Sequence, residues 1–177
     1  DIIAKVEGPA ISLLTGERTA LNFLTHLSGI STSTSIMVGL ISKTKTKILC
    51  TRKTTPGLRN IEKYAVKVGG GINHRKGLYD AILIKDNHIA IAGSISNALN
   101  KVKKIKDKFK IEIEVDSLKQ FKEALEFNPD VIMLDNFKIN QLKKAVKMSK
   151  KKVVLEASGK IDFTNVSRIA ETGVDYL

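Results

Sequence analysis

Tryptophan is absent, and tyrosine occurs only three times and phenylalanine six times among 177 residues. So few aromatic rings leave little on which nucleic-acid bases could stack. Cysteine occurs once, as Cys50, which excludes an internal disulfide framework and fits a reducing, cytoplasmic setting. Cys50 ends the apolar run Ile48-Leu49-Cys50, where a buried thiol is expected rather than a nucleophile. No run of eighteen apolar residues occurs, so no membrane span is expected. The opening Asp1-Ile2-Ile3-Ala4-Lys5 does not read as a signal peptide. Internal repeats, low-complexity linkers and a glycine-rich dinucleotide fingerprint are also missing. Acidic residues are the scarce charge: 18 Asp+Glu stand against 30 Lys+Arg, for a net charge of +12.

A positive surplus suits nucleic acid, an anionic membrane or small acidic substrates. Here the lysines are spread through helical segments such as 101–110 and 143–152, and compositional bias could explain most of the charge without a partner. Neither nucleic acid nor membrane is expected. The hydrophobic content of 42% supports one domain with a sizeable core.

Residues 1–8 alternate like an end-strand with no partner in the chain, and Gly8-Pro9 punctuates them. From Ile11 to Leu27 the apolar positions recur at helical spacing. Arg18, Asn22 and His26 form a polar stripe on that helix, as at an interface or cleft. Ser28-Gly29 reads as a break, after which a second helix spans Ser31 to Leu40. Beyond Lys47, short apolar runs alternate with helical segments. The runs are Ile48–Thr51, Ala81–Ile84, Ile111–Val115, Val131–Leu134 and Val153–Leu155, with a sixth starting at Val174. The helical segments are Leu58–Val68, Ser94–Phe109, Leu118–Glu126, Ile139–Met148 and Phe163–Thr172. Such alternation predicts parallel strands joined by crossover helices, a barrel in preference to an open sheet.

In a barrel the chemistry gathers at the C-terminal strand ends. Charged residues stand there on five runs: Arg52 and Lys53, Lys85, Glu114, Asp135, and Glu156. With His74 and Arg75, the stretch from Thr51 to His88 reads as an anion site. Guanidinium groups bind planar carboxylates through two parallel hydrogen bonds, and lysine acts as a point charge. In Ile111-Glu112-Ile113-Glu114-Val115 one face is apolar, so Glu114 points into the barrel mouth. Glu114 and Asp135 can hold Mg²⁺, which prefers oxygen ligands, or pair with Lys53 or Lys85, and the two roles can coexist. Ser158-Gly159 forms a short turn that can offer backbone N–H groups to phosphate, and Lys160 adds charge.

Several stretches together resemble quinolinate phosphoribosyltransferase, the decarboxylating family also called nicotinate-nucleotide pyrophosphorylase. They are Glu17-Arg18-Thr19-Ala20-Leu21-Asn22-Phe23-Leu24, Ser28-Gly29-Ile30, Thr51-Arg52-Lys53-Thr54-Thr55-Pro56-Gly57-Leu58-Arg59 and Gly69-Gly70-Gly71 with Asn73-His74-Arg75. Leu78-Tyr79-Asp80, Ile84-Lys85-Asp86-Asn87-His88, Met133-Leu134-Asp135-Asn136 and Glu156-Ala157-Ser158-Gly159 continue the match.

The resemblance implies an α/β fold with an incompletely closed barrel. Residues 1–9 would be the tail of an N-terminal α/β domain that is mostly absent, and 10–177 a catalytic barrel without its last strand. It implies transfer of phosphoribose from 5-phosphoribosyl 1-diphosphate to quinolinate with Mg²⁺. The products would be nicotinate mononucleotide, diphosphate and CO₂, in de novo NAD synthesis. Arg52, His74, Arg75 and Lys85 would bind quinolinate, with Lys53 close by, and Arg18 would reach the pocket of a neighbouring subunit in a homodimer or higher oligomer. Glu114 and Asp135 would face the ribose and the metal–diphosphate, and Ser158 and Gly159 the 5′-phosphate. Lys85, Glu114 and Asp135 would be the catalytic groups. Lys160 departs from the pattern, where relatives usually carry a second glycine. An alternative is a related phosphoribosyltransferase-like barrel acting on another acidic or azine ring.

Overall fold

The structure, a computed structural model, describes residues 1–105 and 108–177. Helix α1 (Ala10–Leu40) and helix α2 (Arg59–Val68) come first. Strands β1 (Ile82–Ile84), β2 (Ile111–Val115), β3 (Val131–Asp135) and β4 (Val154–Ser158) follow. Helices α3 (Asp86–Ala92) and α4 (Ile95–Lys103) lie between β1 and β2. Helix α5 (Leu118–Glu126) joins β2 to β3, α6 (Ile139–Ser149) joins β3 to β4, and α7 (Val166–Ala170) follows β4.

The strands pair in parallel in chain order, β1-β2-β3-β4. Single parallel bridges extend the arc beyond β4: Glu156 to Tyr176, Tyr176 to Lys47, and Leu49 to Ile72. Among the described residues no bridge joins the Ile72 segment back to β1, so the barrel is not closed there. The runs expected as strands at Ile48–Thr51 and from Val174 therefore contribute isolated bridges only. Their hydrogen bonds alternate between two neighbours, as where Leu49 N–H donates to Leu177 O at 2.7 Å and Cys50 N–H to Ile72 O at 3.0 Å. Residues 1–8 form no ladder, having no strand beside them.

Period-two alternation sorts the strand side chains. Ile113, Val115, Ile132, Leu134, Leu155 and Ala157 are buried against Phe121, Ala124, Leu142 and Ala145 of the outer helices. A fully buried aliphatic or phenylalanine side chain contributes roughly 1.5–3 kcal/mol, and this layer is the main core. The register places Glu114 opposite Met133, Met133 opposite Glu156, and Asp135 opposite Ser158. The inner face therefore carries Glu112, Glu114, Asp135, Glu156 and Ser158 among apolar residues such as Met133, where the outer face is aliphatic throughout.

Helix α1 runs straight through Ser28-Gly29, where a break is expected from sequence. A glycine inside a helix costs only about 1 kcal/mol relative to alanine. The hydroxyls of Thr25 and Thr34 bond back to the carbonyls of Leu21 and Ile30, which leaves the helical backbone intact on both sides. The C-terminal half of α1 packs on α2. Gly69 and Gly71 belong to that contact: a Cβ on either would collide with Ser31, Thr34 or Val66.

Other boundaries shift modestly. The helix expected over Ser94–Phe109 ends at Lys103, and residues 106–107 of that expectation lie outside the described residues. The one expected over Phe163–Thr172 is helical only from Val166 to Ala170, because Asp162 first caps a turn with Thr164 and Asn165. Among the described residues no helix is long and apolar enough to cross a membrane.

Candidate active site

At the C-terminal ends of the arc the structure gathers most of the expected cations. Arg52 follows the Leu49 bridge and is half-buried, and its Nε is buried with no hydrogen-bond partner. Arg75 is also half-buried, and one terminal nitrogen reaches Gly77 O and Ala81 O at 3.5 and 3.4 Å. Burial, and then the charge of Arg52, lower the Arg75 pKa from its ordinary value. Neither guanidinium forms an ion pair among the described residues. The charges of Glu112 and Asp80 oppose that shift, and two neighbouring guanidiniums without an ion pair could receive an anion.

His74 stands beside them. Its Nε2 lies 2.7 Å from Glu112 Oε2 and 3.8 Å from Glu156 Oε2. The hydrogen bond to Glu112 raises the His74 pKa against the opposing effect of burial. Burial, reinforced by the charge of Glu112, pushes the Glu156 carboxyl up to about 7. Glu112 Oε1 and Glu156 Oε2 are buried without hydrogen-bond partners. Ligand atoms of His74, Glu112 and Glu156 lie within 4.8 Å of one another, so the group could hold a metal ion.

Lys85 Nζ pairs with Glu114 Oε2 at 3.1 Å. Lys85 directly follows β1, and its own backbone N–H is held by His88 Nδ1 at 2.9 Å at the start of α3. Asp135, at the end of β3, accepts from Asn136 Nδ2 at 2.7 Å. Asn136 N–H donates to Ser158 O at 2.8 Å, which joins the ends of β3 and β4. Gly159 has φ +95° and lies so close to Asn136 that a Cβ would collide with it. Lys160 also adopts a left-handed backbone, with φ +53°.

The structure thus brings together Arg52, His74 and Arg75, pairs Lys85 with Glu114, and sets Asp135 beside Ser158 and Gly159. Lys53 is exposed, its backbone N–H held by Thr51 Oγ1 at 3.0 Å. Arg18 is exposed on α1 and joins none of these contacts. Of the stripe it heads, His26 pairs at 2.8 Å with Glu62 of α2, within the same chain. Glu112 had no expected role, although the alternation that turns Glu114 inward turns Glu112 inward as well. A cavity of about 970 Å³ opens elsewhere, beside Lys43, Asp130, Lys152 and Asp175 near the N-terminal ends of β3 and β4, and holds none of these residues.

Residues 30–177 match the family described as quinolinate phosphoribosyl transferase, C-terminal domain, and residues 1–28 match its N-terminal domain. The chain is 49% identical over 175 residues to a nicotinate-nucleotide pyrophosphorylase [carboxylating] of Mycobacterium leprae, covering 97% of this chain and 62% of that protein. A probable nicotinate-nucleotide pyrophosphorylase [carboxylating] of Archaeoglobus fulgidus is 42% identical over 184 residues, covering 100% of this chain and 70% of that one. The solved nicotinate-nucleotide pyrophosphorylase of Francisella tularensis superposes with a TM-score of 0.90 at 50% identity, over 94% of this chain and 60% of that one. The chain therefore spans about three fifths of the length of the first and last of these relatives. By motif, matched length and shared fold, it belongs to the quinolinate phosphoribosyl transferase family.

Proposed function

We propose that the whole protein transfers phosphoribose from 5-phosphoribosyl 1-diphosphate to quinolinate, with loss of CO₂, to give nicotinate mononucleotide and diphosphate in de novo NAD synthesis. One observation carries the reading: Arg52 and Arg75 are half-buried and close enough to repel, and neither forms an ion pair among the described residues. Quinolinate brings two adjacent carboxylates. Arg52, His74 and Arg75 can bind both, with Lys53 at the rim, and so aim the ring nitrogen at C1 of the ribose. Such orientation removes much of the entropic cost of bringing two substrates together.

Departure of diphosphate leaves positive charge on the ribose ring. The carboxylates of Glu114 and Asp135, on the inner faces of adjacent strands, stabilise it electrostatically. The ring nitrogen is already a nucleophile, so the step needs no general base. Once alkylated, the pyridinium accepts the electron pair of the breaking C2–carboxylate bond. CO₂ departs, and a proton then adds at C2. Lys85 holds the departing carboxylate, and its bond to Glu114 sets where the ammonium stands. Ser158 and Gly159 receive the 5′-phosphate in the turn after β4. Glu114 and Asp135 offer oxygen donors only, which suits Mg²⁺, and the bound ion would offset charge on the leaving diphosphate.

We take residues 1–9 as the tail of the N-terminal domain and 10–177 as barrel. The working unit is a cytoplasmic homodimer or higher oligomer in which Arg18 reaches a neighbour's pocket. Neither nucleic acid nor membrane is a partner. Release of labelled carboxyl carbon by the full-length protein tests the reaction. CO₂ should appear only when quinolinate and 5-phosphoribosyl 1-diphosphate are both present. Equal turnover of nicotinic acid, which lacks the second carboxylate, would overturn the assignment.

A further inference from the structure

Lys63, in the middle of α2, is only 2% exposed. Lysine is almost never fully buried unless it is paired, yet Lys63 forms no ion pair among the described residues. Its Nζ donates to Cys50 Sγ at 2.9 Å and to the His74 carbonyl oxygen at 2.7 Å. The same sulfur accepts the His74 backbone N–H at 3.2 Å. Both backbone groups of His74 therefore end on one buried pair of side chains.

Their position explains why such a tie is needed. Ile72 N–H donates to Ile48 O at 2.8 Å, and Cys50 N–H donates to Ile72 O at 3.0 Å. That backbone ladder stops there, while Arg52, His74 and Arg75 all lie beyond it. Past the last rung, two mutually repelling guanidiniums must be held at a fixed separation. The Cys50 sulfur and Lys63 nitrogen continue the link where backbone pairing has run out. They also give the buried Lys63 amine two hydrogen-bond acceptors that carry no carboxylate charge.

We propose that Lys63 and Cys50 are positioning residues for the carboxylate clamp. They fix the backbone of His74 and thereby the spacing of His74 and Arg75 from Arg52. The identity of the ligand rests on the quinolinate reading above; the brace itself rests on geometry alone. If Lys63 and Cys50 served stability only, their loss would weaken both substrates alike.

The test uses full-length protein carrying Lys63→Met, Cys50→Ala or Cys50→Ser, with Lys67→Met on exposed α2 surface as control. KM is measured separately for quinolinate and for 5-phosphoribosyl 1-diphosphate, and the His74 ring signal is followed by NMR in histidine-labelled protein. Lys63→Met and Cys50→Ala should each raise the quinolinate KM about tenfold, while the KM for the donor moves less than about twofold. Both should displace the His74 signal. Cys50→Ser keeps an acceptor for the His74 N–H and should lose less than Cys50→Ala; Lys67→Met should match the unmodified protein. Folded variants with an unmoved His74 signal, or with equal KM increases for both substrates, overturn the proposal. If Lys63→Met does not fold, Cys50→Ala decides. Should the unmodified protein fail to turn over quinolinate, the functional reading falls, and the His74 signal still decides the brace.

Discussion

His74 Nε2 stands 2.7 Å from Glu112 Oε2, a residue 38 positions away on the inner face of β2. His74 lies two residues past Ile72, and among the described residues no backbone bridge joins the Ile72 segment to β1. It also leaves Glu156, 3.8 Å from the same nitrogen, without a hydrogen bond for Oε2.

Glu156 gives stability a defined pH dependence. Its pKa is about 7 in the fold, raised by burial and then by Glu112, against an ordinary 4.5. Between those values the folded state keeps a proton that the unfolded chain releases, so stability falls as pH rises from 4.5 toward 7 and levels off above it. Glu156→Gln should stabilise the protein by about 1–3 kcal/mol at pH near 8 and by nothing near pH 4. Denaturant melts at the two pH values check this; equal effects at both would refute it.

Arg75→Ala should weaken quinolinate by about 1.5–3 kcal/mol while leaving 5-phosphoribosyl 1-diphosphate nearly unchanged. Separate calorimetric titrations of the two ligands decide the matter. Equal losses would mean general damage to the site rather than a lost carboxylate contact.

Lys160 carries φ +53°, a conformation in which a Cβ costs roughly 1–2 kcal/mol. Lys160→Gly relieves that cost and should raise stability by up to about 1 kcal/mol once the entropy of a new glycine is subtracted. A higher denaturation midpoint with an unchanged m-value is the expected signature. An unchanged or lower midpoint would show that the turn after Gly159 is not strained by the side chain.

Arg18→Ala and Lys85→Ala should each abolish most activity as pure full-length proteins, and mixtures of the two should regain part of it. If Arg18 acts across subunits, one pocket of a mixed dimer would receive an intact Arg18 from one subunit and an intact Lys85 from the other. Subunit exchange is verified by tagged pull-down before activity is read. Verified mixed dimers of folded subunits with no recovered activity would eliminate the cross-subunit role of Arg18.

The sequence made much of this arrangement readable and hid particular parts for physical reasons. Aliphatic runs with charged ends located β1 to β4, because strands covered by helices must be apolar on the covered face. The same alternation held the clue to Glu112, two residues before Glu114 and therefore on the same face. Partners were less legible. That Lys85 takes Glu114 while His74 takes Glu112 depends on register and on how far the arc curves, and neither is a local property. His26 lay on a stripe that suggested an interface, and only the packing of α1 on α2 supplies Glu62 as its partner. Ser28-Gly29 has the composition of a break; continuous backbone bonding outweighs it.

The unbroken course of α1 has a mechanical consequence. The stretches that match the two family models meet between residues 28 and 30, inside a helix of 31 residues. At 1.5 Å per residue it is about 45 Å long, and it offers neither a proline nor a loop at which to bend. The two matched stretches are linked by a strut rather than a joint. Its later half packs on α2 and α7. Arg18 is exposed on the earlier half of that helix, so continuous helix rather than loop sets its distance from the Gly69–Gly71 packing contact.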